Sequence, residues 1–195
     1  MSIKITTLVE NSVYGKGLQG EHGLSLLVDT GKYRLLFDTG ASDLFIRNAR
    51  ILGIDLKEVD FLVLSHGHRD HTGGLHHFLA VNDKAQVVCK RELFQPKFKD
   101  ERENGVMQPD ALNSTRFRFV DEVTELCRGV FVFPQLPVTD EEDTHFEHFF
   151  TWAEGRKQAD TFTDELALVL KQGAEVSVLS ACCLLYTSPS PRDRG

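Results

Sequence analysis

The chain has 195 residues, of which 41% are hydrophobic, and this is enough apolar material for the core of one domain. Its formal net charge is −7, which argues against nucleic acid as a partner because neutralising phosphates requires a basic surface. No apolar run approaches the roughly 20 residues of a membrane-spanning helix. The N-terminus lacks the pattern of a signal peptide, and the four cysteines show no CxxC spacing. We therefore expect a cytoplasmic protein that binds neither nucleic acid nor membrane.

The first part of the chain is predicted to form short β-strands. Residues 3–9, 24–30 and 33–39 are rich in apolar and β-branched side chains. Gly31 and Lys32 separate the second and third of these segments, and they predict a tight turn between two paired strands.

A helix is predicted directly after these strands. Ser42 can cap its N-terminus, and Phe45, Ala49 and Leu52 share one face. Gly53 follows at the position where a helix commonly ends.

Strands and helices then alternate. Residues 59–65 are apolar on both faces, as in a strand that is covered on both sides, and residues 85–90 form another short strand. A helix start is predicted between them, in GGLHHFLAVN. This alternation predicts a layered α/β architecture.

The second half has a weaker pattern. We interpret residues 91–129 as a charged insertion with some helix, and residues 139–163 as an irregular flap. Residues 129–134 predict a strand, and residues 165–181 predict two strands joined by a turn at Gly173.

Four potential metal ligands are concentrated in the segment SHGHRDHTGG: His66, His68, Asp70 and His71. The first two lie two residues apart at the end of a buried strand, so their side chains can point the same way and bind one ion. The other two follow a bend and can reach a second ion. Imidazole and carboxylate ligands without thiolate suit Zn, Fe, Mn or Co.

The residues that follow, Thr72, Gly73 and Gly74, predict a helix start beside these ligands. Free N–H groups at such a position would favour an anionic substrate group.

The segment SHGHRDHTGG resembles the His-x-His-x-Asp-His signature of the metallo-β-lactamase superfamily. LLFDTG, at 35–40, resembles the supporting Asp motif of that fold, which makes Asp38 a candidate to orient a ligating imidazole. Residues 21–75 and 163–170 further resemble the branch of dihydropterin-(ribofuranosyl)aminobenzene-phosphate synthase-like proteins.

The resemblance implies an αβ/βα sandwich with two metal ions, expected to be Zn²⁺ with Fe or Mn as alternatives. His66 and His68 would bind the first ion, and Asp70 and His71 the second. The implied reaction is hydrolysis by a metal-bound hydroxide, with Asp70 as the candidate to share its proton. The implied substrate is a small anionic molecule, such as a phosphoester, an ester or a pterin-type aryl phosphate.

Two protein ligands for each ion are fewer than the three that catalytic zinc usually has. The other histidines are not counted as ligands: His22, His76, His77, His145 and His148. In the family the next histidine follows a strand that matches residues 176–182, but here the sequence continues as CLLYTSPSPRDRG.

That continuation resembles the translation of a transposase adapter used to prepare sequencing libraries. We therefore expect a partial metallo-β-lactamase domain at 1–182, with the second half of the sandwich incomplete, and a non-native tail at 183–195. On this interpretation the chain as written would be inactive, and Leu166, Leu168 and Leu170 would lack full cover.

Two alternatives remain open at this point. The first is a di-iron oxidoreductase with a flavin partner on the same fold, although that group typically carries Glu where this chain has His68. The second is a metal-binding protein without catalytic activity.

Overall fold

A computed structural model describes residues 3–107, 115–136, 147–153 and 155–181. The strands are β1 Lys4–Val9, β2 Ser25–Asp29, β3 Arg34–Phe37, β4 Phe61–Val63, β5 Gln86–Cys89, β6 Lys97–Lys99, β7 Arg102–Glu103, β8 Phe117–Phe119, β9 Thr124–Cys127, β10 Val130–Phe133, β11 Phe149–Ala153, β12 Arg156–Ala159, β13 Ala167–Gln172 and β14 Glu175–Leu179. The α-helices are α1 Leu44–Ile51, α2 Arg69–Thr72 and α3 Leu75–Val81, and short 3₁₀ helices span Leu56–Glu58 and Arg91–Phe94.

The described strands form three sheets. The first has six strands in the order β1-β2-β3-β4-β5-β8, antiparallel from β1 to β3 and parallel from β3 to β8. The second has the antiparallel order β14-β13-β10-β9, and the third has the antiparallel order β12-β11-β6-β7. The α/β class predicted from the sequence is confirmed.

Alternate residues of β3, β4 and β5 enter two different cores. The core on the helical side of the first sheet includes Leu36, Leu62, Val87, Phe45 and Phe78. The core between the first and second sheets includes Leu35, Val63, Val88, Val132 and Leu168. Because both faces of these strands are buried, the strands are apolar on both sides, as the sequence of residues 59–65 indicated.

The predicted turn at Gly31 and Lys32 is confirmed. Strands β2 and β3 pair antiparallel up to Asp29 and Arg34, so the turn lies between these two residues. Gly31 has φ +80°, a left-handed conformation that glycine adopts at little cost.

Helix α1 is present, but its predicted details are partly wrong. Ser42 lies one residue before the N-cap, although its Oγ accepts a hydrogen bond from the backbone N–H of Leu44 at 3.1 Å. Phe45 and Ala49 are buried as expected, whereas Leu52 is 41% exposed because the chain leaves the helix there. Gly53, at φ +69°, ends the helix as predicted.

For the described residues of 91–129, the prediction of an insertion with some helix is only partly right, because most of the regular structure there is strand. These residues contain strands β6 to β9 and one short 3₁₀ helix. Described residues of the predicted irregular flap likewise form β11 and β12. Strands β6 and β7 have only three and two residues, too few to show a period in the sequence, and β6 pairs with β11 about fifty residues further along the chain.

The expectation that Leu166, Leu168 and Leu170 lack cover is also wrong. All three are buried, because they pack between the second sheet and the first. The exposed apolar residues of this sheet are Val176 and Val178, on the edge strand β14.

No helix among the described residues is both long enough and apolar enough to span a membrane. The predicted tail at 183–195 lies outside the described residues, so the domain boundary at 182 stays a prediction.

The two-sided burial of the first sheet predicts a large difference between two identical substitutions. Leu62→Ala should lower the free energy of unfolding by about 2–5 kcal/mol, because it opens a cavity in a fully buried part of β4. Leu52→Ala, at an exposed helix end, is the matched control and should cost under about 1 kcal/mol. Urea denaturation measures both, and equal losses would contradict the core described above.

Candidate metal centre

The predicted ligands lie at the carboxyl ends of β3 and β4, two neighbouring parallel strands. Backbone hydrogen bonds connect these ends: the N–H of Asp38 donates to the carbonyl of Val63 at 2.9 Å. The N–H of Thr39 donates to the carbonyl of His71 at 2.8 Å. The turn after β3 and the loop after β4 are therefore held against each other.

Three imidazole rings lie together in this loop. The ring centroid of His66 is 4.8 Å from that of His68 and 4.4 Å from that of His71. All three side chains are buried, with 1%, 2% and 7% exposure respectively. Burial of three histidines in contact is costly unless their ring nitrogens have partners.

Asp38 provides such a partner and is itself fully buried. Its carboxylate accepts hydrogen bonds from the N–H of Ser65 at 2.8 Å and the hydroxyl of Ser65 at 2.7 Å. Its Oδ2 also lies 2.8 Å from Nδ1 of His71. Because a carboxylate only accepts, His71 donates from Nδ1, and its Nε2 faces away from Asp38. Outer carboxylates orient ligating histidines in this way in metal sites.

The orientation of His66 follows from the same network. The single hydroxyl hydrogen of Ser65 is donated to Asp38, so Ser65 Oγ accepts from His66 Nδ1, 2.9 Å away. The proton of neutral His66 is thereby assigned to Nδ1, and Nε2 keeps a lone pair. Burial, followed by the neighbouring histidines, lowers the pKa of His66 well below its usual value, which favours this neutral form.

His68 carries a buried nitrogen without a hydrogen-bond partner in the described part of the chain. Its Nε2 makes no hydrogen bond, and the nearest carboxylate oxygen, Oδ2 of Asp160, is 3.8 Å away. The rings of Phe149 and Phe162 lie beside it. Burial and then the charge of Lys97 lower the pKa of His68 to about 4, so its imidazole is neutral and can donate a lone pair.

Asp70 and His71 form an ion pair. Oδ2 of Asp70 is 3.4 Å from Nε2 of His71 and also 3.4 Å from Nε2 of the exposed His22. Burial alone would lower the pKa of His71, but the hydrogen bonds to Asp38 and Asp70 outweigh it and raise that pKa to about 10. For Asp70, burial raises the pKa, but the hydrogen bond with His71 and the charges of His71 and His68 together lower it below its usual value.

These residues fit a divalent metal ion by their donor chemistry. Imidazole nitrogens and a carboxylate are ligands that Zn, Fe and Mn accept, the rings of His66 and His68 are neutral, and the orphaned Nε2 of His68 lacks the partner that an ion would provide. Within the described ranges, no group of three or more His, Cys, Asp or Glu side chains is in position to hold a metal ion. The assignment of His66, His68, Asp70 and His71 as ligands therefore stays a prediction.

Comparison with known proteins identifies the family. The sequence profile of the metallo-beta-lactamase superfamily matches residues 18–194. The chain belongs to this superfamily.

A curated relative from Methanocaldococcus jannaschii is named 7,8-dihydropterin-6-methyl-4-(beta-D-ribofuranosyl)-aminobenzene-5'-phosphate synthase. It is 29% identical over 203 residues, covering 93% of this chain and 68% of the relative. The crystal structure of Tm1679, described as a metal-dependent hydrolase of the beta-lactamase superfamily, is 32% identical with a TM-score of 0.81. The match covers 94% of this chain and 67% of that one, so the chain spans about two thirds of the length of these relatives. A metallo-beta-lactamase of Cronobacter sakazakii, at 15% identity and a TM-score of 0.53, shares the fold over 84% of this chain and 54% of its own.

The backbone N–H groups of Thr72, Gly73 and Gly74 were expected to be free, and the structure differs from this expectation. Their N–H groups donate to the carbonyls of His68, Arg69 and Gly40, so they are not free to bind an anion in this conformation. The hydroxyl of Thr72 also donates to the carbonyl of His68. These three residues pack the loop in this conformation, and the anion site expected there stays a prediction.

A group of buried charged side chains beside the superfamily motif was not predicted from the sequence. Asp164 Oδ2 accepts a hydrogen bond from the N–H of Gly67 at 2.6 Å, and Lys97 pairs with both Asp160 and Asp164. Glu165 is also buried, with Oε2 3.5 Å from Nδ1 of His66. The available signal was the run TDELALVL, in which acidic residues directly precede an apolar strand.

The other histidines lie in different places, and His22 is the one described near Asp70. His76 and His77 are exposed on α3, and His148 is exposed beside Asp100. His145 lies outside the described residues.

The network around Asp38 predicts a specific loss of metal affinity. Asp38→Asn should weaken zinc binding by about 10–100-fold, because His71 loses a charged acceptor while the left-handed backbone, φ +59°, still suits Asn. Competition with a chromophoric chelator measures the affinity.

Asp100→Asn is the matched control. Asp100 also has a positive φ, +52°, and its Oδ1 lies 2.9 Å from Nδ1 of His148, but on the exposed surface. Zinc affinity should be unchanged in this variant. Similar losses in both variants would contradict a special role for Asp38.

Proposed function

We propose that the protein is a metal-dependent hydrolase that acts on a small anionic ester in the cytoplasm, with a phosphoester as the favoured class. Support comes from its superfamily, from the metal-dependent hydrolase Tm1679 and from the relative named as an aminobenzene-5'-phosphate synthase. The observation that carries the proposal is the buried, neutral His68, whose Nε2 lacks a hydrogen-bond partner among the described residues. Neither nucleic acid nor a membrane is proposed as a partner.

In this proposal His66 and His68 hold one divalent ion, and Asp70 and His71 hold a second. Such ions act as Lewis acids and lower the pKa of water from 15.7 to about 7, which allows hydrolysis at neutral pH. Zn²⁺ is the proposed metal, and Fe or Mn fit the same ligands.

Asp38 and Ser65 orient the imidazole rings of His71 and His66 for metal binding. They hold the protons of His71 and His66 on Nδ1, which leaves Nε2 of each ring as the atom that would bind a proposed ion. Binding of a cation would release the proton that Nε2 of His71 shares with Asp70.

Asp70 is the proposed proton carrier. Its side chain is 25% exposed, and the contact with His71 lowers its pKa, so it is ionised at neutral pH and can accept a proton. Its exposure gives that proton a route to solvent. His22, close to the same carboxylate oxygen, is placed to receive it.

Aromatic side chains support an aryl leaving group. Phe149 and Phe162 pack on the ring of His68 at centroid distances of 5.0 Å and 5.2 Å. They form an apolar wall beside the ring of His68, and Lys99 lies over the ring of Phe149. A phosphate attached to an aromatic ring would find both apolar and cationic neighbours here.

A paired substitution tests the proposal. His68→Ala should abolish stoichiometric zinc binding by the 195-residue chain, because it removes the orphaned nitrogen that an ion would engage. His148→Ala, which truncates an exposed histidine of similar size, should leave zinc binding unchanged. Metal analysis after gel filtration measures both.

Hydrolysis of bis(p-nitrophenyl) phosphate and p-nitrophenyl acetate then tests the reaction. Because the chain spans about two thirds of its relatives, the assay includes a version extended past residue 181 by the sequence that follows the aligned region in Tm1679. We expect metal-dependent hydrolysis from the extended chain, little from the 195-residue chain, and none after His68→Ala. Metal binding without turnover of either ester would favour a non-catalytic protein, and bound iron with a flavin partner would favour the oxidoreductase.

A further inference from the structure

One lysine and two aspartates are buried together beside residues 65–72, here called the histidine loop. Nζ of Lys97 lies 2.7 Å from Oδ2 of Asp160 and 2.9 Å from Oδ1 of Asp164. All three residues are at most 2% exposed. Removing such charges from water costs free energy that their attraction only partly offsets, so a buried ion cluster is weak evidence for stability. Its position in the fold indicates a role in holding the histidine loop rather than in stability.

The cluster is bonded to the backbone of the histidine loop. The other oxygen of Asp164, Oδ2, accepts from the N–H of Gly67, the residue between His66 and His68, at 2.6 Å. Two residues earlier, the carbonyl of Ser65 accepts from the N–H of Leu166 at 2.9 Å. The segment that leads into β13 therefore holds the loop on both sides of His66.

The fit around Gly67 leaves little freedom. A Cβ at this position would lie 2.3 Å from the carbonyl oxygen of Leu93 and 3.2 Å from Oδ2 of Asp164. A glycine backbone is otherwise the most flexible in the chain. Close packing and the carboxylate together restrict it to one conformation.

We propose that Asp164 positions His66 and His68 for metal binding by fixing Gly67, and that Lys97 acts through Asp164 by fixing its carboxylate. Neither residue is proposed as a ligand. The part of this inference that concerns affinity rests on the function proposed above.

Asp164 and Lys97 are needed for different physical reasons. Without Asp164, the buried N–H of Gly67 would lose its acceptor, and an unsatisfied buried donor favours a shift of the loop. Without Lys97, two buried carboxylates would face each other uncompensated, and Asp164 would move or take up a proton. Either change would misplace His66 and His68, and changes of this kind around metal sites typically cost about 10–100-fold in affinity.

Zinc affinity and the visible spectrum of the Co²⁺-substituted 195-residue chain test the proposal. Asp164→Ala and Lys97→Met should each weaken zinc binding at least tenfold and alter the Co²⁺ spectrum. Asp164→Asn should recover part of the affinity, because its amide oxygen can still accept from Gly67. A purely structural role would not give this graded recovery.

Asn82→Ala is the matched control for lost stability. Asn82 is buried and bonded to the backbone of Leu56, Val59 and Ala85, outside the histidine loop. It should lower the melting temperature without changing zinc affinity or the Co²⁺ spectrum. Unchanged zinc affinity in Asp164→Ala and Lys97→Met, or an equal loss in Asn82→Ala, would overturn the proposal.

Amide hydrogen exchange in the metal-free chain separates this proposal from the proposed function. If the unmodified chain binds no metal, the proposed function fails, but the exchange rate of the Gly67 amide still tests the positioning. In Asp164→Asn, the mildest variant, the Gly67 amide should exchange its hydrogen faster than in the unmodified chain, while the exchange rates in α1 stay the same. Equal rates at Gly67 would refute the role of Asp164.

Discussion

The buried carboxylate of Asp38 is the interaction on which the candidate centre depends. It lies at the end of β3, and it bonds to both the N–H and the hydroxyl of Ser65 at the end of β4 and to the ring of His71. A buried charge is tolerated only when hydrogen bonds replace its water, and here three donors do so. Because Ser65 in turn accepts from His66, one carboxylate sets the orientation of two imidazoles.

The second sheet also helps to define the geometry of the histidine loop. Its strand β13 packs against the first sheet through Leu168, and the segment between β12 and β13 carries Asp160, Asp164 and Glu165, which lie beside His68, Gly67 and His66 respectively. The histidine loop therefore lies between two sheets and is bonded to both. Neither sheet alone would define the positions of all three imidazoles.

The sequence predicted the features that depend on neighbours in the chain. Alternation and apolar content located β2, β3 and β13, and the motif located the histidines, because those signals are contained in a few consecutive residues. The pairing of β6 with β11 and the contact between Lys97 and Asp164 join segments about fifty to seventy residues apart. Local patterns carry no information on such contacts, and an isolated buried lysine looks like a surface residue in the sequence.

Close packing explains why positions 73 and 74, directly after the motif, are glycines. Their sequence position suggested an anion site, yet a Cβ at Gly73 would lie 2.3 Å from the carbonyl oxygen of Ala41, and one at Gly74 would lie 2.5 Å from that of Thr39. A side chain at either position would push the turn after β3 away from the loop. That turn carries Asp38, whose contact with His71 is only 2.8 Å long. The glycines thus support the candidate metal centre indirectly, because they allow the backbone of residues 39–41 to approach closely enough for Asp38 to reach His71.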